Sequence, residues 1–175
     1  ALSRKDFTAT IAATVNEVEP EFSEAVAREK YKTIGTFTTN TTSNQKRNTN
    51  IKLATQAING IVLQPGEEFS FNNRVGERTE AKGYQGAAAY NNGEVVQEIG
   101  GGICQVSTTL YVAVLKAELE VTERYSHSMI VHYVDPSMDA AIAEGLKDLK
   151  FINNTDAPIY IEASADGSTL HFAIY

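Results

Sequence analysis

Gly100-Gly101-Gly102-Ile103-Cys104-Gln105-Val106-Ser107-Thr108-Thr109-Leu110-Tyr111-Val112-Ala113-Val114-Leu115 is the stretch on which the reading of this chain turns. From Gln105 to about Leu119 it is apolar nearly all round, which predicts a helix buried on most sides. Three glycines stand directly before it, so the backbone there can take conformations closed to other residues and approach another group closely. The first amides of a helix have no partner within it and carry partial positive charge. Such a place lowers a thiol's pKa and can hold an oxyanion, and the chain's one cysteine, Cys104, sits in it. The plainer reading is that Cys104 is a small buried hydrophobe.

The flanking segments predict the rest of the fold. Upstream, Ala87 to Tyr90 and Glu94 to Ile99 read as two strands joined by Asn91-Asn92-Gly93, a hairpin signal. Residues 73–86 form a charged, glycine-containing loop. Before it, Glu67 to Asn72 alternates with Phe69 and Phe71 on one face, which predicts a half-buried strand. Thr49 to Asn59 repeats Ile51, Ala54 and Ile58 at helical spacing, with Gly60 just past its end. Lys32 to Thr39 reads as a strand and residues 40–48 as a polar loop. Downstream, Val121 to Val134 is β-rich until Pro136. Leu149 to Ile152, Ile159 to Ala163 and Thr169 to Ile174 read as three short strands. The predicted architecture is α+β: a largely antiparallel sheet packed with two main helices in a single domain, residues 31–175. Residues 1–30 differ in texture and read either as a linker or the end of an upstream domain, or as a segment packed on the main domain.

Composition narrows the function classes. At 175 residues with 42% hydrophobic content the chain can bury a full core. A net charge of −7 without a basic run argues against a nucleic-acid partner and against electrostatic docking on anionic membranes. No apolar run is long enough to span a bilayer, so no direct membrane insertion is expected of this segment. One cysteine allows no internal disulfide, which suits a reducing compartment or an exported bacterial protein that needs no bridges. The sequence starts at Ala1 without Met or a signal-peptide pattern and reads as a piece trimmed from a longer chain.

A thiol nucleophile needs a base, and chain length chooses among His127, His132 and His171. A helix of about 14 residues runs roughly 21 Å. A returning strand at about 3.3 Å per residue covers that in roughly six residues, which brings His127 level with Cys104. His132 would overshoot by about 16 Å on the same rise. Five positions apart, the two histidines would also face opposite ways in a regular strand. His171, in an alternating strand near the end, reads as structural or exposed. A carboxylate must then orient the imidazole. Asp135, Asp139 and Asp148 all qualify by position; Asp135 is explained by its turn before Pro136, and Asp139 is preferred.

Among the remaining polar residues, Gln97 and Gln105 are possible amide donors to an oxyanion. Arg74 and Arg78 could clamp a carboxylate between them, or simply belong to a solvated loop. Tyr84, Tyr90, Tyr111 and Tyr133 read as core or rim. No second His or Cys stands at zinc spacing from His127, the glycines lack the Lys and Ser/Thr of a phosphate loop, and no metal or cofactor is expected.

RNTNIKLATQAINGIVLQPGEEFSFNNRVGERT, GGGICQVSTTLY, ERYSHSMIVHYVDPSMDAAI and DLKFINNTDAPIYI together resemble the VanW family, across about residues 33–163. That family is named for a gene of vancomycin-resistance clusters. The resemblance implies an exported or membrane-anchored, cell-wall-associated bacterial protein, with peptidoglycan or a cell-wall peptide as partner. It also implies that residues 1–30 end or connect an upstream peptidoglycan-binding domain. Locally, Gly102-Ile103-Cys104, the helix, Arg124 and His127 resemble transglutaminase-like and papain-like thiol enzymes. Two functions follow as expectations. One is a thiol peptidase, amidase or acyl transferase with Cys104 as nucleophile, His127 as base and Asp139 as its orienter, and Gly100, Gly101, Gly102, Gln105, Arg74 and Arg78 about the substrate. The other is a non-catalytic module that binds peptidoglycan or a wall-associated partner, in which Cys104 merely packs.

Overall fold

Strand β9 (Thr169–Ile174) alternates Leu170, Phe172 and Ile174 inward, all with no exposure, and so sets the inner face of the main sheet. It is flanked on one side by β1 (Gly35–Asn40), with Phe37 opposite Phe172, and on the other by β8 (Ile159–Ala165). A three-residue strand, β2 (Ile61–Leu63), completes the sheet in the order β1-β9-β8-β2, antiparallel throughout. The computed structural model describes residues 32–91 and 94–175, and Thr33–Tyr175 forms one compact unit. The expectations for residues 1–30 and for the Asn92-Gly93 turn lie outside the described residues.

Two helices cover the sheet. Helix α1 (Gln45–Ile58) packs on β8, with Ile51, Ala54 and Ile58 fully buried. Its Asn44 side chain accepts the Arg47 amide at 3.0 Å, so α1 begins within the segment that reads as a loop. Helix α3 (Ile103–Lys116) lies against β1, β9 and α1. Val106, Leu110, Ala113 and Val114 face the core, and ten of the helix's residues are buried, as the apolar pattern predicts. Its buried Thr109 hydroxyl is satisfied by Gln105 O at 2.7 Å and by Thr39 Oγ1 at 2.9 Å.

A smaller sheet orders β3 (Glu68–Ser70), β7 (Lys150–Ile152) and β6 (Glu120–Glu123), with Phe69 stacked on Phe151 at 4.8 Å between ring centres. Phe71 does not extend β3. Ser70 caps a short helix, α2 (Phe71–Val75), through Asn73 N, and Phe71 turns fully into the core. The buried Asp148 carboxylate fixes this corner by accepting from Ser70 Oγ at 2.6 Å and from the Asn72 and Leu149 amides, each at 2.9 Å. The hairpin of β4 (Gly86–Asn91) and β5 (Glu94–Ile99) leads into α3. The architecture is therefore α+β with antiparallel pairing and two main helices.

One predicted element is shorter than expected. Strand β6 stops at Glu123, and the chain to Met138 is irregular apart from a bridge between Tyr125 and Ala141. The ladder shifts register between Val121 and Glu123, and beyond it the His127 amide donates to the Asp139 carboxylate rather than to a strand.

Candidate active site

The site begins where β5 turns into α3. Gly102 is the N-cap, at φ 102°, a left-handed conformation costly for any residue with a Cβ. A Cβ on Gly101 would lie 2.2 Å from Ala87 O, and one on Gly102 would lie 2.6 Å from Arg47 Cγ. The glycines thus let the β4 backbone and the Arg47 side chain close over the helix start; the close approach they permit is to the protein itself. Gly101→Ala is expected to cost about 3 kcal/mol or more, because the obstacle is backbone that cannot swing aside. A thermal melt showing less than a few degrees of loss would contradict that packing. The Ile103 and Gln105 amides bond back to Gly100 O and Gly102 O at 3.2 and 3.0 Å, and no described residue accepts from the Cys104 amide. That donor is available to an oxyanion formed at the thiol's own position. Cys104 is half-buried, and its Sγ lies 3.6 Å from Ile142 O.

The facing limb runs from Arg124 to Ile142. His127 Nδ1 lies 2.6 Å from Asp139 Oδ2, which also accepts the His127 amide at 2.6 Å. Asp139 Oδ1 accepts Arg124 Nη2 at 3.0 Å, while Arg124 Nε donates to Asp139 O at 2.7 Å. The Arg124 guanidinium also lies over the Tyr111 ring at 5.4 Å. With Nδ1 given to the carboxylate, Nε2 is the ring nitrogen left over, and Cys104 lies near enough to raise the imidazole's pKa. The limb docks on α3 through hydroxyls: Ser107 Oγ donates to Ala140 O at 2.7 Å, and Thr108 Oγ1 accepts the Ala140 amide at 3.0 Å. The structure therefore pairs His127 with Asp139 and brings Cys104 into the neighbourhood of that pair.

Charge follows the geometry. Burial pulls the His127 pKa down, but the hydrogen bond and charge of Cys104, then those of Asp139, outweigh it and raise the pKa above 6.5. Burial pushes Asp139 up, but the His127 amide and ring bonds, the imidazolium and Arg124 hold it below 3.8. A raised histidine stabilises the fold fully below its unfolded value of 6.5 and loses that contribution as pH rises through the folded pKa. A lowered aspartate stabilises above 3.8 and loses its contribution as pH falls through the folded pKa. The difference in unfolding free energy between the native chain and His127→Gln is therefore expected to be greatest in the mildly acidic range and to shrink above neutrality. Urea melts at stepped pH check this; a difference that grew with pH would reverse the sign.

The other predicted site residues are placed differently. Gln105 is buried, with Nε2 donating to Thr39 Oγ1 and Asn40 O, both at 2.8 Å, so its amide is spent inside the protein and not offered to an oxyanion. Arg74 is half-exposed and pairs with Glu67 at 3.5 Å. Arg78 is instead buried, donating to Asn72 Oδ1 at 2.6 Å with Glu144 at 3.8 Å. The two arginines form no joint clamp, and Arg78 is not a solvated loop residue. Its side chain packs by Gly100, and its charge reaches Cys104. Asp148 caps the β3–α2 corner, Asp135 O closes a turn with the Met138 amide, and His171 Nδ1 meets Thr38 Oγ1 at 2.7 Å.

A family model described as "VanW like protein" matches residues 46–175. The chain belongs to the VanW-like family. "Uncharacterized protein YoaR" of Bacillus subtilis (strain 168) is 42% identical over 154 residues, which are 87% of this chain and 51% of that protein. "Vancomycin B-type resistance protein VanW" of Enterococcus faecalis (strain ATCC 700802 / V583) is 33% identical over 123 residues, 67% of this chain and 44% of that protein. The VanW-like chain thus spans about half the length of the curated relatives it matches. No solved structure matches it. Strand β1 precedes the matched stretch yet pairs along β9, so the VanW-like fold here starts before residue 46.

This VanW-like fold also has a cleft of roughly 350 Å³ lined by Asn40, Thr42, Arg47, Gln105, His132 and Tyr133. His132 lines this cleft, on a stretch that is irregular after His127 and not the extended strand expected there. Burial raises the Tyr133 pKa, as does the Cys104 charge, while a hydrogen bond with Thr108 and the Arg47 charge oppose the rise. Arg47 and Tyr133 lie within the stretches that carry the family resemblance, yet nothing in the spacing of those stretches places either residue at a cleft. Their place depends on contacts between distant segments, such as Arg47 Nη2 to Gln105 Oε1 at 2.7 Å.

Proposed function

We propose that this VanW-like chain is a cysteine-dependent enzyme acting on amide bonds of cell-wall peptide outside the cell, as a peptidase, amidase or acyl transferase. The observation that carries the reading is the His127–Asp139 pair, with Nδ1 2.6 Å from the carboxylate, in the neighbourhood of the Cys104 thiol at the start of α3. In this arrangement Cys104 Sγ attacks the amide carbon while its proton rests on His127 Nε2. The Cys104 amide at the start of α3 holds the oxyanion. Collapse breaks the C–N bond, the leaving amine takes the proton from His127, and an acyl thioester remains. Water or a second amine, deprotonated by His127, then breaks the C–S bond and frees the thiol. Asp139 keeps the imidazole in the tautomer that presents Nε2. The cell-wall substrate is supported by the relative named for resistance to vancomycin, a cell-wall antibiotic.

The test is direct. The chain is incubated with purified muropeptides, quenched in acid and analysed by intact-mass and peptide-level mass spectrometry. A mass gain on the Cys104 peptide equal to a muropeptide acyl fragment, together with released product, is expected. Muropeptide binding without adduct or product would instead favour the non-catalytic binding module.

A further inference from the structure

Arg78 stands where a charge is costly. Its side chain is 8% exposed, and among the described residues its Nε has no hydrogen-bond partner. Its ion-pair partner, Glu144, lies 3.8 Å from Nη1 and is itself 58% exposed, so the pair is a weak one. Burial lowers the Arg78 pKa, against the charges of Glu144, Tyr84, Cys104 and Asp148. For a buried cation so thinly paired, desolvation outweighs attraction. Stability therefore does not explain the residue, whereas its connections do.

The side chain joins two turns that meet at the thiol. At its root, Cβ and Cγ lie 3.2 and 3.3 Å from where a Cβ on Gly100 would stand, so the stem packs on the turn that opens α3. At its tip, Nη2 donates to Asn72 Oδ1 at 2.6 Å. Asn72 is itself fixed: its amide donates to Asp148 Oδ1 at 2.9 Å, and its Nδ2 donates to Lys147 O at 2.8 Å. Lys147 closes a tight turn with Ala143 through two backbone bonds of 2.9 Å, with Gly145 between them at φ 70°. Ile142, the residue before that turn, places its carbonyl oxygen 3.6 Å from Cys104 Sγ. One chain of contacts thus runs from the guanidinium through Asn72 and the 143–147 turn to Ile142 and the sulfur.

We propose that Arg78 is a positioning residue for Cys104, which braces the 143–147 turn against the start of α3 and so fixes the Ile142 wall beside the thiol. A guanidinium suits this task because its planar fork holds direction as well as distance. Without the brace the wall gives way, and the thiol admits bulk that it now excludes. The inference deepens the thiol-enzyme reading and rests on it for the substrate that meets this wall. The wall itself can be measured without turnover. N-methylmaleimide and N-phenylmaleimide each form one S–C bond with a thiol, whose proton passes to the neighbouring carbon, and they differ in bulk. Cys104 is the chain's one cysteine, so the adduct reports on that place alone. Labelling rates are measured by intact mass spectrometry, and their ratio is divided by the same ratio for free glutathione.

The native chain is expected to favour the smaller reagent by about tenfold, the scale set by a wall held to about half an ångström. Arg78→Met keeps an apolar stem and is expected to bring the ratio to within about twofold of one while the melting temperature holds. Asn72→Ala cuts the same chain of contacts at its second step and is expected to match it, with the double variant showing no more than either change alone. Arg78→Lys restores the charge without the fork and is expected to recover only part of the selectivity. A native ratio near one, or an unchanged ratio in folded Arg78→Met or, failing that, in Asn72→Ala, overturns the brace. So do full recovery by Arg78→Lys, additive effects in the double variant, and a thiol that neither reagent labels in any of these chains. Selectivity lost only in step with the melting temperature assigns Arg78 to stability and overturns it as well. Selectivity lost in Arg78→Met, with no muropeptide adduct on the native chain, would leave the brace standing and the enzymatic reading failed. An adduct beside unchanged selectivity would do the opposite.

Discussion

Cys104→Ala is expected to abolish the muropeptide adduct and to reduce turnover by about 10⁴-fold or more, because the thiol is the group that carries the acyl chain in the proposed reaction. The same change is expected to cost about 1 kcal/mol or less in stability. Sγ is half-exposed, and its contact with Ile142 O at 3.6 Å is a weak one. A large kinetic loss beside a small shift in melting temperature is the signature of a nucleophile. Turnover persisting within about a hundredfold of the native chain would place the nucleophile elsewhere. A fall in melting temperature as severe as the loss of turnover would point to a packing role for the thiol.

Asp139→Asn is expected to cost about 10³ to 10⁴ in turnover, the scale seen when the carboxylate of a serine-protease triad becomes an amide. The reason lies in how the two oxygens are used. Oδ2 accepts both the amide and Nδ1 of His127, and Oδ1 accepts Arg124 Nη2. Asparagine has one carbonyl oxygen. If it faces His127, the NH₂ group points its hydrogens at the guanidinium. If it faces Arg124, the NH₂ group opposes the His127 amide, and Nδ1 must accept, which moves the ring proton to Nε2 and disables the base. Either way a buried cation loses its counter-charge, at about 2 to 4 kcal/mol in stability. Measured kcat and urea melts should therefore both fall. Arg124→Met is expected to cost less in rate, since Asp139 would keep both bonds to His127. If Asp139→Asn kept native turnover, the carboxylate would have no part in orienting the imidazole.

Much of the fold is legible because its signals are local. The apolar circumference of α3 reads as a buried helix, and β9 reads to the residue, since Leu170, Phe172 and Ile174 alternate without interruption. Helix α1 begins earlier than its apolar repeat suggests. Asn40, Asn44 and Asn48 make the segment look like a loop, yet Asn44 caps the helix, and buried Asn50, within the expected helix, donates to Gln85 O and Gly101 O at 2.8 and 3.0 Å. Strand β2, with three residues, is too short to show a period.

At the site, helix length and strand rise level His127 with Cys104, although the return path is a loop beyond Glu123. The same arithmetic for His132 assumes a constant strand rise, which the irregular chain beyond Glu123 does not keep. The triple glycine reads as room for a ligand, whereas the close neighbours of Gly101 and Gly102 are Ala87 and Arg47 of the protein itself. Gln105 reads as a donor facing outward, whereas its amide ties Arg47 to β1. Such roles arise only when segments distant in sequence meet.

The docking of the Asp139–Ile142 limb onto α3 has a temporal consequence. Its bonds join Ser107 to Ala140 and Thr108 to Ala140, residues 33 and 32 positions apart, and Cys104 Sγ meets Ile142 O across 38. Contacts of that separation close late in folding, after the local turns and helices. Until they close, the thiol has neither base nor docked partner strand beside it. On the thiol-enzyme reading, a nascent or partly folded chain is therefore disarmed, and completion of the fold acts as the safety catch on its reactivity.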